Sequence, residues 1–143
     1  MSQKLANQHA LLTGAGGGIG AAVARAFATE GTRCSAVAIG SAPSADVQQL
    51  MADFPSAIHY ISCDVTDTGA IKQMVAKATS TFGAIHTLFN NAAIFDMAPL
   101  LESNEAMYDK IFAVNVKGAF FVMQAVLQHM VDSGTKGAVI NMA

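Results

Sequence analysis

Four places in the chain hold residues whose types and spacing can do chemistry. The first is Thr13-Gly14-Ala15-Gly16-Gly17-Gly18-Ile19-Gly20. It follows a short apolar run and opens an Ala-rich helical segment. A diphosphate needs such a seat, because a side chain would block its approach and the free N–H groups of a helix start meet its charge. Gly14 then makes the tight turn, Gly18 permits the close approach, and Gly20 lets helix and strand pack tightly. The second place is Asp64-Val65, after a strand-like run. Its carboxylate can accept a hydrogen bond from an adenine amino group, or it can cap the helix that starts near Thr66. The third is Asn90-Asn91-Ala92-Ala93, where small residues leave room for a ribose and asparagines tie down backbone; an ordinary Asx turn is the alternative. The fourth is Asn115, between Val114 and Val116 in a long helical segment. Asn is a mediocre helix former. Its side chain, or a distorted turn there, can hold a water, and taken alone a surface Asn is the simpler reading.

The elements that must position these residues alternate. Strand-like runs cover Ala10 to Thr13, Arg33 to Ile39, Ile58 to Ser62, Ile85 to Phe89 and Ala138 to Asn141. Between them lie helical stretches from Gly18 to Glu30, Ala45 to Asp53, Thr66 or Asp67 to Phe82, and Asn104 to Val131. The first helix carries Ile19, Val23, Ala26 and Phe27 on one stripe, the third Ile71, Val75, Ala78 and Phe82. Right-handed crossovers turn this order into an α/β fold, a doubly wound parallel sheet of Rossmann type with five strands in the order 3-2-1-4-5. Ligands of such sheets bind at the carboxyl ends of the strands where the order reverses, here between the first and fourth. The long helix has two apolar stripes. One runs Met107, Ile111, Val114, Gly118, Phe121 and Ala125; the other runs Tyr108, Phe112, Val116, Ala119, Met123, Val126 and Met130. One sheet face covers a single stripe, so the second needs more of the chain or a second subunit.

Composition narrows the function classes. The 143 residues suit one domain, 1–143, and are 52% apolar and 13% charged. A net charge of −2 without a basic block supplies no field for nucleic acid. Cys34 and Cys63 are isolated and read as small buried hydrophobes. His9, His59, His86 and His129 are scattered without metal-ligand spacing, so no metal is expected. Met1-Ser2-Gln3-Lys4 begins no apolar leader, and no apolar run reaches the length of a membrane span, so a cytoplasmic protein without membrane contact is expected.

Thr13 to Gly20, Asp64, Asn90 to Ala93, and Asn115 within Val114-Asn115-Val116-Lys117-Gly118 stand in the order and spacing of the short-chain dehydrogenase/reductase family, which the whole chain resembles. Asn90 to Pro99, Tyr108-Asp109-Lys110 and Ile140-Asn141-Met142-Ala143 are similar to polyol dehydrogenases of the sorbitol and galactitol type, in which Ala93 also replaces the usual Gly. The resemblance implies hydride transfer between a nicotinamide cofactor and a small-molecule alcohol or ketone, and a homo-oligomer for the complete protein. It implies that Gly14, Gly18, Ile19 and Gly20 hold the diphosphate, Asp64 and Val65 the adenine, and Asn90 and Ala92 the ribose. Asn115 matches the family's catalytic Asn, which positions a proton-relay water.

The family's Ser, and its Tyr with a Lys four residues on, are absent. Only Tyr60 and Tyr108 exist, followed at that distance by Asp64 and Phe112. The chain therefore reads as truncated after its fifth strand and inactive alone, since a phenol needs a nearby cation to reach a working pKa. Neither an acid nor an Arg closes the second strand, Val37-Ala38-Ile39-Gly40-Ser41, and Asp46 lies in the next helix. The polyol resemblance favours NAD, with NADP as the alternative. Phe95, Asp96 and Met97 either line the near wall of a substrate pocket or pack the loop. The last strand, with Val139 and Ile140, is expected to be an exposed edge prone to association. Two other readings stay open: a non-catalytic nucleotide-binding module, and a fragment without a stable fold.

Overall fold

The computed structural model describes residues 3–143; Met1 and Ser2, the start of the N-terminal segment read above, lie outside the described residues. In chain order the elements are β1 (His9–Thr13), α1 (Gly18–Thr29), β2 (Arg33–Ala38), α2 (Ala45–Asp53), β3 (Ile58–Ser62), α3 (Thr68–Phe82), β4 (Thr87–Asn90), a 3-10 turn (Leu100–Glu102), α4 (Glu105–Phe112), a π turn (Ala113–Gly118), α5 (Ala119–Ser133) and β5 (Ala138–Asn141). All strand pairs are parallel, in the order β3-β2-β1-β4-β5, as the alternation of elements predicts.

Side chains of a strand alternate between faces, and β1 separates two cores accordingly. Ala10 and Leu12 join Ala24, Ala28, Ala36, Val47 and Leu50 under α1 and α2. Leu11 joins Val37, Ile61, Ile71, Met74, Leu88, Val122 and Val126 under α3 and α5. Every residue of β1 is buried, as in a sheet covered on both sides. Side-chain oxygens start three helices: Ser44 accepts from the Val47 N–H, Asp67 from those of Gly69 and Ala70, and Asn104 from that of Met107.

Two helix faces differ from the sequence expectation. In α1 the buried residues are Gly20, Ala21, Ala24 and Ala28, whereas Ile19 is 58% exposed. Helix and strand approach closely after the glycine turn, so the small residues go inward. In the long helix Val126 and Met130 leave the expected second stripe and bury with Gly118 and Val122. The apolar residues left outside are Tyr108, Phe112, Val116, Phe120, Leu127 and Val131. Burying Val122, Val126 and Met130 stabilises the docked helix by about 1.5–3 kcal/mol per side chain. The run Glu105–Ser133 also has the length and hydropathy to cross a bilayer (mean hydropathy 1.4), contrary to the expectation that no apolar stretch is long enough. Here its buried stripe lies on the sheet.

Three of the four histidines, scattered in sequence, converge at the amino-terminal end of the sheet, away from the glycine turn. His9 Nδ1 donates to the Gly83 carbonyl at 3.0 Å while Nε2 meets Ser35 Oγ at 2.9 Å. His86 Nδ1 accepts the His9 N–H at 3.1 Å, and His129 Nε2 accepts the Ile85 N–H at 3.2 Å. Burial, reinforced by His86 and His129 nearby, holds the His9 imidazole below its ordinary pKa despite the Gly83 carbonyl. Among the described residues no group of His, Cys, Asp or Glu is gathered as a metal site. Cys34 and Cys63 are buried free thiols, and burial pushes them up to about 12 and about 11.

Candidate cofactor cleft

At the carboxyl ends of β1 and β4 the chain turns sharply twice, and the two turns are bolted together. Gly14 has φ +64, and a Cβ on it would stand 2.9 Å from the backbone of Ala92. Only glycine suits both the conformation and the contact. Thr13, fully buried, is the bolt: its Oγ1 accepts the N–H groups of Asn91 and Ala92, each at 3.0 Å, and donates to Asn90 Oδ1 at 3.4 Å. Asn91 Nδ2 returns the favour to the carbonyls of Thr13 (3.3 Å) and Gly14 (3.2 Å). A Cβ on Gly20 would collide with the Gly14 carbonyl, so helix α1 sits directly on the turn. At Gly18, with φ +53, a Cβ would meet nothing within 4 Å; the space above it is open. Gly17 caps α1 without a side-chain hydrogen bond, and no acidic residue occupies the first turn. The helix start thus keeps N–H donors for an anion.

These turns border a cleft of about 410 Å³ lined by Gly14, Gly16, Gly17, Asp64, Val65 and Ala92, among others. The glycine cradle, the open space at Gly18 and the cleft's apolar wall fit an elongated dinucleotide. Asp64 uses Oδ1 to accept from the N–H (2.9 Å) and hydroxyl (2.8 Å) of Thr66. Its other oxygen is uncommitted among the described residues, and Asp67, rather than Asp64, caps α3. Val65 also abuts the long helix at Gly118, where a Cβ would stand 2.9 Å from Val65 Cγ2.

Asn90, expected to hold a ribose, turns its amide inward instead. Nδ2 donates to the Ala119 carbonyl at 2.8 Å and to Asn141 Oδ1 at 3.1 Å, tying β4 to α5 and β5. It does not line the cleft, because alternation in β4 aims it at the helix layer. Asn115 sits within the π turn, the distorted turn considered above. Its Oδ1 accepts the Ile94 N–H at 2.8 Å and its Nδ2 donates to the Ile94 carbonyl at 2.9 Å. It thereby clamps the loop after β4 that forms the cleft wall at Ala92–Ile94. Ile19 is exposed at the start of α1 and does not touch the cleft. Phe95 and Met97 are exposed and Asp96 pairs with Lys110 at 3.5 Å, so neither aromatic nor thioether packs the loop.

Thr13 and Ser44 had a sequence signal, a hydroxyl beside a glycine or a Pro-Ser turn, that spacing did not single out. Ser44 Oγ donates to the Gly16 carbonyl at 2.6 Å, joining α2 to the glycine turn.

The sequence model described as "short chain dehydrogenase" matches residues 8–143. The chain is 41% identical to a sorbitol dehydrogenase of Cereibacter sphaeroides over 140 residues, which is 98% of this chain and 54% of the relative. It is 41% identical to a galactitol 2-dehydrogenase of Agrobacterium fabrum (strain C58 / ATCC 33970), with the same two coverages. Among solved structures, an NAD+-bound xylitol dehydrogenase superposes with a TM-score of 0.88 at 30% identity, covering 98% of this chain and 54% of its own. The chain thus spans about half the length of these relatives. With the parallel sheet order and the glycine turn, these matches establish that the chain belongs to the short chain dehydrogenase family.

Proposed function

We propose that residues 1–143 form one dinucleotide-binding domain, incomplete by itself, of an NAD(H)-dependent oxidoreductase that interconverts a polyol and a ketone. The observation that carries this reading is the glycine-rich turn Gly14–Gly18 at the start of α1, whose one side chain, Ala15, is buried, on a cleft between the ends of β1 and β4. Gly14 and Gly18, with Ile19 and Gly20 shaping the turn, would hold the diphosphate at the free N–H donors of α1. The uncommitted oxygen of Asp64 accepts from the adenine amino group and Val65 forms the apolar wall. Ala92 leaves room for the ribose, while Asn90 acts from behind the wall by fixing β4. Asn115 holds Ile94 and, in the whole protein, stands where a relay water is positioned. The nicotinamide, when bound, supplies the hydride acceptor or donor. The similarity to sorbitol and galactitol dehydrogenases supports a polyol, and the NAD+-bound neighbour supports NAD.

Proton transfer is the step this chain's own residues do not cover. Tyr60 gives its hydroxyl to the Gly40 carbonyl at 2.7 Å, and Tyr108 stacks on Phe112 at 4.2 Å, without a lysine four residues beyond either. The chain alone is therefore expected to bind NAD(H) without turnover. For the whole protein the proposal includes a cytoplasmic homo-oligomer, supported by the exposed apolar side of α4 and α5. Calorimetric titration with NAD tests the cleft, and a sorbitol assay tests the turnover. Absence of dinucleotide binding at millimolar concentration overturns the cleft assignment. Oxidation of sorbitol at an ordinary enzymatic rate, roughly 10 per second, overturns the claim of inactivity.

A further inference from the structure

The end of β2, where sheets of this kind place the acidic grip on the adenosine ribose about 20 residues past the glycines, is Ala38-Ile39-Gly40. The methyl of Ala38 faces the glycine turn, 3.1 Å from a Cβ built on Gly16, and offers no hydrogen bond. Helix α2 comes to the same place from the other side. Ser44 both caps α2 and donates to the Gly16 carbonyl, so the first turn of α2 is moored against the glycines. There Asp46 Oδ2 lies 3.2 Å from where a Cβ of Gly17 would stand. Among the described residues Asp46 takes part in neither ion pair and in none of the side-chain hydrogen bonds that hold α2. Asp46 is exposed beside the cleft rather than among its lining residues, and among the described residues no lysine or arginine lines it.

Resting on the dinucleotide reading above, we infer that Asp46, projecting past the bare backbone of Gly17, accepts the adenosine 2′-hydroxyl of NAD and repels the 2′-phosphate of NADP. The helix thus supplies the acid that the strand lacks. A Cβ at position 17 would crowd Asp46 Oδ2 at 3.2 Å, which gives the middle of the three consecutive glycines a purpose beyond flexibility.

The test is a pair of dissociation constants, for NAD+ and NADP+, measured on the full chain, on Asp46→Asn and Asp46→Glu, and on Asp109→Asn as a remote control. The unsubstituted chain should bind NAD+ at least roughly tenfold more tightly than NADP+. Asp46→Asn should shrink that ratio at least about fivefold, mostly through tighter NADP+ binding. Asp46→Glu should restore most of it, and Asp109→Asn should leave it alone. Added salt should narrow the ratio for the original chain and not for Asp46→Asn, because repulsion is screened. An unchanged ratio in Asp46→Asn, with both nucleotides still bound, overturns the role of Asp46 and leaves the cleft standing. If neither nucleotide binds the original chain, the dinucleotide reading itself falls and takes this inference with it.

Discussion

Replacing Thr13 by valine isolates what the bolt between the two turns is worth. The shapes of the side chains match, so packing around this fully buried position changes little. What disappears is one oxygen that accepts two backbone N–H groups at 3.0 Å and donates to Asn90. An unsatisfied buried donor costs about 1–3 kcal/mol. Asn91 and Ala92 are only half-buried, so the lower part of that range applies to each, and the sum is about 2–4 kcal/mol. With a urea slope of roughly 1.5–2 kcal/mol per molar, the midpoint of unfolding should fall by about 1–2.7 M. NAD affinity should fall as well, since Ala92 and Gly14 lose their common tie. Thr13→Ser keeps the oxygen and should recover most of both quantities. A midpoint for Thr13→Val within about 0.3 M of the original refutes the claim that this hydroxyl joins the strand ends.

Gly18→Ala should barely disturb packing, because the space above Gly18 is open. It should still cost about 1 kcal/mol for the left-handed backbone and abolish NAD binding, as calorimetry would register; retained affinity would place the diphosphate elsewhere. His9 has a depressed folded pKa, so the unfolded chain takes up a proton first as the pH falls. The associated stability is present above the unfolded value of 6.5 and is lost as the pH drops through the folded value. Urea midpoints should therefore fall between about pH 7.5 and pH 5.5, and a flat profile contradicts this. Cys34 and Cys63, with thiols raised to about 12 and about 11, should not react with an aromatic disulfide reagent at neutral pH until urea unfolds the chain. Prompt labelling of the native protein would count against the packed β2 and β3 ends.

The sheet was legible because its information is local: apolar runs punctuated by glycines, a cap near Asp67, and a glycine turn set between the first strand and the first helix. Side-chain direction was less legible. Spacing put Ile19, Val23, Ala26 and Phe27 on one stripe of α1; Val23 and Phe27 do pack against the core, but the close approach that Gly20 permits sets Ala21, Ala24 and Ala28 most deeply against the strand. Asn90 and Asn91 are adjacent, and nothing in their types says that the first ties β4 to α5 and β5 while the second ties the glycine turn. Asp46 lies in the wrong element for its part in the site, and only the contact of Ser44 with Gly16 brings that element across. The histidine group joins positions 9, 86 and 129, a separation along the chain that no motif can express.

The wide turn at Ala113–Gly118 has a consequence for the length of the chain itself. It holds one residue more than a regular helical turn would. Excising that extra residue would let the helix close into an uninterrupted α-helix with everything downstream nearly in its old phase, so Val122, Val126 and Met130 would stay on the sheet. Removing Asn115 itself would therefore spare the helix and release Ile94. A residue inserted instead into the regular turns of α5 would rotate all that follows by about 100° and press polar side chains toward the sheet, so length changes should be tolerated in the wide turn and not beyond it.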